Sequence, residues 1–362
     1  MVEDNSRFLA SPPGFLLEIV DGERNMRNRP VRIRNLMCGV LIAALCAATP
    51  LRSQQQELPK VRIELLTRAI SKLPLVIAQD QGLYKKHGLD VEIWMPEPEY
   101  PNAITMDIER PEEPDLSIDG GTPMINNLAT NARYPKRVIL ASTDCSVRWH
   151  IIGQKGLTRL EDLKGKRLGI SNPSAMTSFV SRLLAKRMGW DPVQDISIMS
   201  NAQTTDALKE NLVDAFVADE RYYATALQAG YPILADTSEW NSAIAGNSIR
   251  AEESWLRDPK KRDIAKRFIM ATLEGMALYH NNRELALDVM KRWHGMDREV
   301  SSVLYEAGSG MPKKMYPCYD GIKNTMELFD SNEMRQHKPT DFYDDSIIKE
   351  LDESGFIDAL YR

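Results

Sequence analysis

From residue 60 onward the apolar positions follow two alternating rhythms. The run KVRIELL at 60–66 has period two, the pattern of a strand with one buried face. A helical stretch follows at 73–87, with Gly88 placed to cap its end, and LDVEIW at 89–94 reads as the next strand. A short helix is predicted at 101–109 and strands at 115–118, 137–142 and 149–154. Between them GGTP at 120–123 turns into a helix that runs to residue 132. A second unit repeats the rhythm. Its strands are predicted at 166–170, 196–199, 215–218 and 232–235, and its helices at 160–163, 174–188, 204–211 and 222–229. The alternation of strand and helix argues for a mostly parallel α/β sheet. The remainder reads as helical, with segments at 259–281 and 283–294 and two more centred on 325–331 and 346–353. The helix from Pro259 is too apolar on one face to stand alone, and is expected to pack on the first unit.

The first 53 residues follow another rule. Arg27, Arg29, Arg32 and Arg34 precede an apolar run at 36–48. That run is shorter than the roughly 20 residues of a membrane span and has the layout of a secretory signal peptide. Residues 1–25 fit no such layout, so Met26 is the expected start, with cleavage after Ala48 or Ser53. Removing 1–53 takes seven arginines and five acidic residues from 46 Lys+Arg and 51 Asp+Glu. The net charge moves from −5 to −7. Such a chain offers no broad basic surface for nucleic acid. With 43% hydrophobic and 27% charged residues, it has the composition of a globular protein.

Two of the four cysteines, Cys38 and Cys46, lie in the leader. Cys145 and Cys318 remain, either as a disulfide formed in an oxidising compartment or as two unpaired, partly buried thiols. No CxxC pair or metal-spaced histidines occur, so neither a metal nor a cofactor is expected.

Four motifs in order carry a resemblance. They are PLVIAQDQGLYKKHGLDVE at 74–92, DLSIDGGTP at 115–123, LEDLKGKRLGI at 160–170 and DAFVADE at 214–220. Together they resemble the nitrate/sulfonate/taurine and thiamine-pyrimidine class of solute-binding proteins over about residues 60–300. The resemblance implies a type II periplasmic-binding-protein fold, in which two α/β lobes joined by two crossover strands enclose a ligand cleft. Lobe one would comprise 54–149 and 243–362 with the C-terminal helices, and lobe two 150–242. The implied role is a monomeric receptor, exported to the periplasm. It would hand a small-molecule solute to the permease and ATPase subunits of an ABC importer at the inner membrane.

In such a fold, loops at the carboxyl ends of strands face the ligand. Ser71 and Lys72 follow the first strand, and Lys72 would pair an anion. Gly120, Gly121 and Thr122 form a turn into a helix whose first N–H groups suit an oxyanion. Asn172, Ser174 and Thr177 open the helix after the strand at 166–170 and offer the same chemistry. Asp219 and Glu220 would accept hydrogen bonds from an amine or a ring N–H. Trp149, near the expected crossover, and Tyr222 would stack on a flat ligand, with core packing the alternative for Tyr222.

The ligand class stays open between a sulfonate or carboxylate oxyanion and a nitrogen heterocycle. No nucleophile–base pair is visible, so no catalytic residue is assigned. The alternatives are a sensory binding module, or an enzyme akin to the thiamine-pyrimidine synthases of the same class. Those synthases carry a cysteine-rich motif that this chain lacks.

Overall fold

The computed structural model describes residues 57–96, 103–104 and 108–362, without the side chains of Glu220, Arg221 and Ala224. The leader, and most of the helix expected at 101–109, lie outside the described residues.

In chain order, β1 (Lys60–Leu65) leads to α1 (Leu73–Asp80) and α2 (Leu83–Lys86), then β2 (Asp90–Trp94) and β3 (Leu116–Gly120). Next come α3 (Gly121–Thr130) and β4 (Arg137–Ser142). The chain then crosses to β5 (His150–Gly153), β6 (Arg167–Gly169), α4 (Met176–Met188) and β7 (Ser197–Met199). It continues through α5 (Thr205–Lys209), β8 (Ala215–Ala218), α6 (Glu220–Gln228) and β9 (Ile233–Asp236). It returns as β10 (Asn247–Glu252), followed by α7 (Glu253–Leu256), α8 (Pro259–Asn281) and α9 (Arg283–His294). The chain finishes with α10 (Arg298–Gly308), α11 (Tyr319–Leu328), α12 (Ser346–Glu353) and α13 (Phe356–Ala359).

Among the described residues the strands form two five-stranded sheets, ordered β2-β1-β3-β10-β4 and β7-β6-β8-β5-β9. In the first, β1 pairs β2 and β3 in parallel, while β10 runs antiparallel to β3 and β4. In the second, β5 runs antiparallel to β8 and β9. Each antiparallel strand follows a crossover, which delivers the chain to its sheet in the reversed direction. Two lobes joined by two crossovers result, so each sheet is mixed rather than mostly parallel.

Three elements depart from the pattern-based expectation. The helix predicted at 73–87 breaks at Gly82, whose left-handed φ of 67° ends α1 and starts α2. Strand β10 was not predicted because its sequence, NSIRAE, contains four polar side chains. The structure buries Asn247, Ser248 and Arg250 with partners: Ser248 Oγ meets Ser142 Oγ at 2.9 Å and Arg250 Nη1 donates to the Gly120 carbonyl at 3.3 Å. Helix α10 was also missed, although Asp297 caps it by accepting from Val300 N at 2.8 Å.

Lobe one has a continuous core. Its apolar members include Val61 and Ile63 of β1, Leu140 of β4, and Phe268 and Met276 of α8. As the periodicity predicts, α8 packs on this unit, and Tyr84 stacks on Phe268 with ring centroids 4.9 Å apart. A second apolar cluster runs between the lobes, joining Ile125 of α3 and Ile322 of α11 to Phe179 and Val180 of α4.

The crossovers run side by side. Ser146 bridges Ala243, and Val147 N donates to the Ser242 carbonyl at 3.0 Å. Gly246 is required there, since a Cβ would lie 2.2 Å from the Asp144 carbonyl oxygen. A disulfide joins Cys145, in the outgoing crossover, to Cys318 at the start of α11. Of the two alternatives open in the sequence, the paired state holds. No described helix is long and apolar enough to cross a membrane.

Candidate functional site

A cavity of about 320 Å³ lies between the lobes. From lobe one, the loop after β1 contributes Thr67, Ala69, Ile70 and Ser71, and the end of β3 contributes Asp119 and Gly120. Asn247 at the start of β10 and Leu304 in α10 complete that side. From lobe two come Ser171, Asn172, Met176 and Thr177 after β6, Gln203 after β7 and Asp219 after β8. Asp144, Arg148 and Trp149 close it along the outgoing crossover. Five strand carboxyl ends (β1, β3, β6, β7 and β8) therefore open onto one cleft, as expected for open α/β sheets.

Of the sequence candidates, Ser71, Gly120, Trp149, Asn172, Thr177 and Asp219 line this cavity. The others are placed differently. Lys72 is 1% exposed, and its Nζ donates to Thr67 Oγ1 at 2.7 Å and meets Asp119 Oδ1 at 3.4 Å. Its charge holds two lining residues in place. The N–H groups of Gly121 and Thr122 donate to the carbonyls of Gly246 and Ala245 at 2.7 and 2.8 Å. They clamp the returning crossover to α3, and so are not directed at an oxyanion. The Ser174 hydroxyl accepts from Asn126 Nδ2 at 2.9 Å, across the lobes. Tyr222 packs edge-on to Phe216, with centroids 6.1 Å apart, in the core of lobe two. Glu220 begins α6, and its side chain is outside those described.

The turn before α4 is internally braced. Thr177 Oγ1 accepts from Ser171 N at 3.1 Å, and Ser174 N donates to Asn172 Oδ1 at 3.0 Å. The helix thus starts at Met176, two residues later than the pattern predicts, because Asn172 and Pro173 hold a turn first.

Sequence reasoning missed the most informative lining residues. Arg148 Nη2 donates to Asp144 Oδ1 at 2.7 Å, while its Nη1 is buried with no partner among the described residues. Gln203 is 7% exposed and its Nε2 also has none. Asn247 is 2% exposed; its Nδ2 donates to Ser71 Oγ at 2.6 Å and its Oδ1 is unpartnered. An unmet buried polar group costs about 1–3 kcal/mol. All three groups belong to residues that line the cavity. The available signals were weak: Arg148 adjoins Trp149, and Asn247 opens a strand with polar residues.

Behind the lining, His150 stacks on Tyr223 with centroids 3.8 Å apart, and burial lowers its pKa. Among the described residues no histidine or cysteine lines the cavity. The hydroxyls of Ser71 and Thr177 are held by amide groups of Asn247 and Ser171 rather than by a base. The arrangement can surround and orient a small molecule, with apolar contact from Ile70, Met176, Leu304 and Trp149.

The model of the family described as NMT1/THI5 like matches residues 70–286. A curated sequence relative is the nitrate import ATP-binding protein NrtC of Synechocystis, 26% identical over 186 residues. That match covers 46% of this chain and 28% of the relative, so the chain spans under a third of that protein's length. Among solved structures, the periplasmic nitrate-binding protein NrtA of Synechocystis aligns with a TM-score of 0.62 at 13% identity, covering 82% of this chain and 89% of that one. The periplasmic aliphatic sulphonate-binding protein SsuA of Escherichia coli aligns with a TM-score of 0.57 at 17% identity, covering 75% and 85%. At these identities the structural likeness establishes the periplasmic-binding-protein fold.

Proposed function

Because the chain belongs to the NMT1/THI5-like family, we propose that it is an exported solute-binding receptor that encloses a small organic molecule between its lobes and delivers it to an ABC importer. The observation that carries this reading is the cavity itself, walled by strand-end loops of both sheets, with the polar side chains of Arg148, Gln203 and Asn247 among its lining residues. A ligand that touches both lobes stabilises their closed arrangement by its differential affinity for it. Similarity to nitrate- and sulphonate-binding proteins supports a transport role.

Export is part of the proposal. The Arg-rich segment and the apolar run at 36–48 support it, and so does the disulfide between Cys145 and Cys318, a bond typical of oxidising compartments. Binding without chemistry is the favoured mode, since the lining hydroxyls of Ser71 and Thr177 are held by amide groups. Native mass spectrometry of protein isolated from its producing cells tests the reading. One small molecule per chain, released on denaturation and retained in EDTA, is expected. Conversion of the bound molecule to a product on incubation would contradict it.

A further inference from the structure

Helix α11 lies across the hinge and touches both crossovers and both lobes. Its start is fastened to the outgoing crossover by the Cys145–Cys318 disulfide. Its first turn sits directly on the returning crossover. A Cβ on Gly321 would lie 2.1 Å from the Ile244 carbonyl carbon, and Asn324 Nδ2 donates to the Ala243 carbonyl at 2.9 Å. On lobe one, the buried hydroxyls of Thr325 and Thr122 meet at 3.1 Å and hold α11 to α3. The far end of α11 reaches lobe two. Arg182 of α4 donates from Nη1 to the Leu328 carbonyl at 3.2 Å, and its guanidinium lies 4.7 Å from the centroid of the Phe329 ring.

We infer that α11 is a strut that limits how far the lobes open, and that the Cys145–Cys318 bond, by tying the strut to the hinge, makes this limit sensitive to reduction. The inference rests on the closing receptor proposed above.

Opening the lobes separates α4 from α3, and α11 packs on both. Two routes exist. Either α11 stays with lobe one, and Arg182 loses Leu328 and Phe329, or α11 follows α4, and its start leaves the crossovers. The disulfide forbids the second route. The two Cα atoms stand 5.3 Å apart, and an intact bond keeps such a pair within about 4.4–6.8 Å. The oxidised protein must therefore break a charge-assisted hydrogen bond and a cation–π contact to open. Reduction removes a constraint and adds none, so opening becomes less costly.

The chemistry is a thiol–disulfide exchange. A dithiol reductant breaks the S–S bond, becomes a disulfide itself, and leaves its two hydrogens on the thiols of Cys145 and Cys318. Cys318 is buried and Cys145 is partly exposed, so the reductant approaches from the Cys145 side. The other two cysteines, Cys38 and Cys46, precede the expected cleavage site, so a matured chain can re-form only this bond.

Small-angle scattering of protein stripped of solute tests the strut, comparing the oxidised form with the form reduced by dithiothreitol. We expect a larger radius of gyration after reduction, with the Kratky plot still that of a folded protein, and the original radius on reoxidation. Arg182→Ala leaves the disulfide intact and cuts the far end of the strut, so it should also enlarge the stripped protein. Equal radii for the oxidised, reduced and Arg182→Ala proteins, all folded, would overturn the inference and leave the receptor reading intact. Should reduction unfold the chain, Arg182→Ala decides alone, and an unchanged radius there overturns the inference. The receptor reading fails on a different result, the absence of any small molecule retained in native mass spectrometry.

Discussion

Asn126 Nδ2 donates to Ser174 Oγ at 2.9 Å, linking α3 of lobe one to the turn before α4 of lobe two. Lys186 and Glu327 add an exposed ion pair between the same lobes at 3.2 Å, which contributes little alone. The side-chain bond at Asn126 forms only when the lobes are together. Asn126→Ala should therefore weaken ligand binding without touching the ligand. A neutral hydrogen bond contributes about 0.5–1.5 kcal/mol, so affinity should fall about two- to tenfold. Titration of the variant with the natural solute checks this, and an unchanged Kd would remove the bond from the closing equilibrium.

Lys72 is enclosed among Thr67, Asp119 and the apolar wall of lobe one. Lys72→Met should destabilise the fold by roughly 1–3 kcal/mol, because it removes the buried amine's bonds to Thr67 and to the partly exposed Asp119 carboxylate. Urea denaturation reads this directly. Full stability with lost affinity would instead place the amine in contact with the ligand.

The Cys145–Cys318 bond spans 173 residues of sequence and fastens the outgoing crossover to α11. Replacing both cysteines by serine should cost about 2–5 kcal/mol, the usual range for a native disulfide closing a long loop. The same loss should follow reduction of the native protein. A melting curve unaffected by reductant would show that the bond adds nothing to stability.

His294 gives the molecule an acid limit. Burial, with the neighbouring Arg68 charge, lowers its pKa to about 4 from an ordinary 6.5. The unfolded chain then binds more protons than the native one between about pH 4 and 6.5. Stability from this group is complete above pH 6.5 and is lost as pH falls towards 4, by about 3 kcal/mol in all. Urea melts from pH 7.5 to 4.5 should show this slope, and His294→Gln should flatten it.

Much of the fold was legible in the sequence because its apolar periodicity is strong. The predicted bounds of α8 and α9 are those observed, and the strands of lobe one fall within two residues of their predicted ends. Strand β10 escaped because its buried side chains are polar and are satisfied by neighbours that only tertiary structure supplies. The site was half legible for a related reason. Strand-end loops can be found from pattern, and they led to Ser71, Gly120, Asn172, Thr177 and Asp219. Which atoms in those loops are already committed cannot be read there. Lys72, Gly121, Thr122 and Ser174 look like donors in sequence, but they bond to Asp119, Gly246, Ala245 and Asn126. The unmet atoms among the lining residues belong to Arg148 and Asn247, at the two crossovers, and to Gln203 after β7.

The central claim is that the two lobes close on a solute held between them. Small-angle scattering measures this most directly, comparing the protein as isolated with the same protein stripped by unfolding and refolded without ligand. The account predicts a larger radius of gyration for the stripped protein, restored to the original value by adding back the released small-molecule fraction. Equal radii in all three states, with the solute still bound in the first, would contradict it.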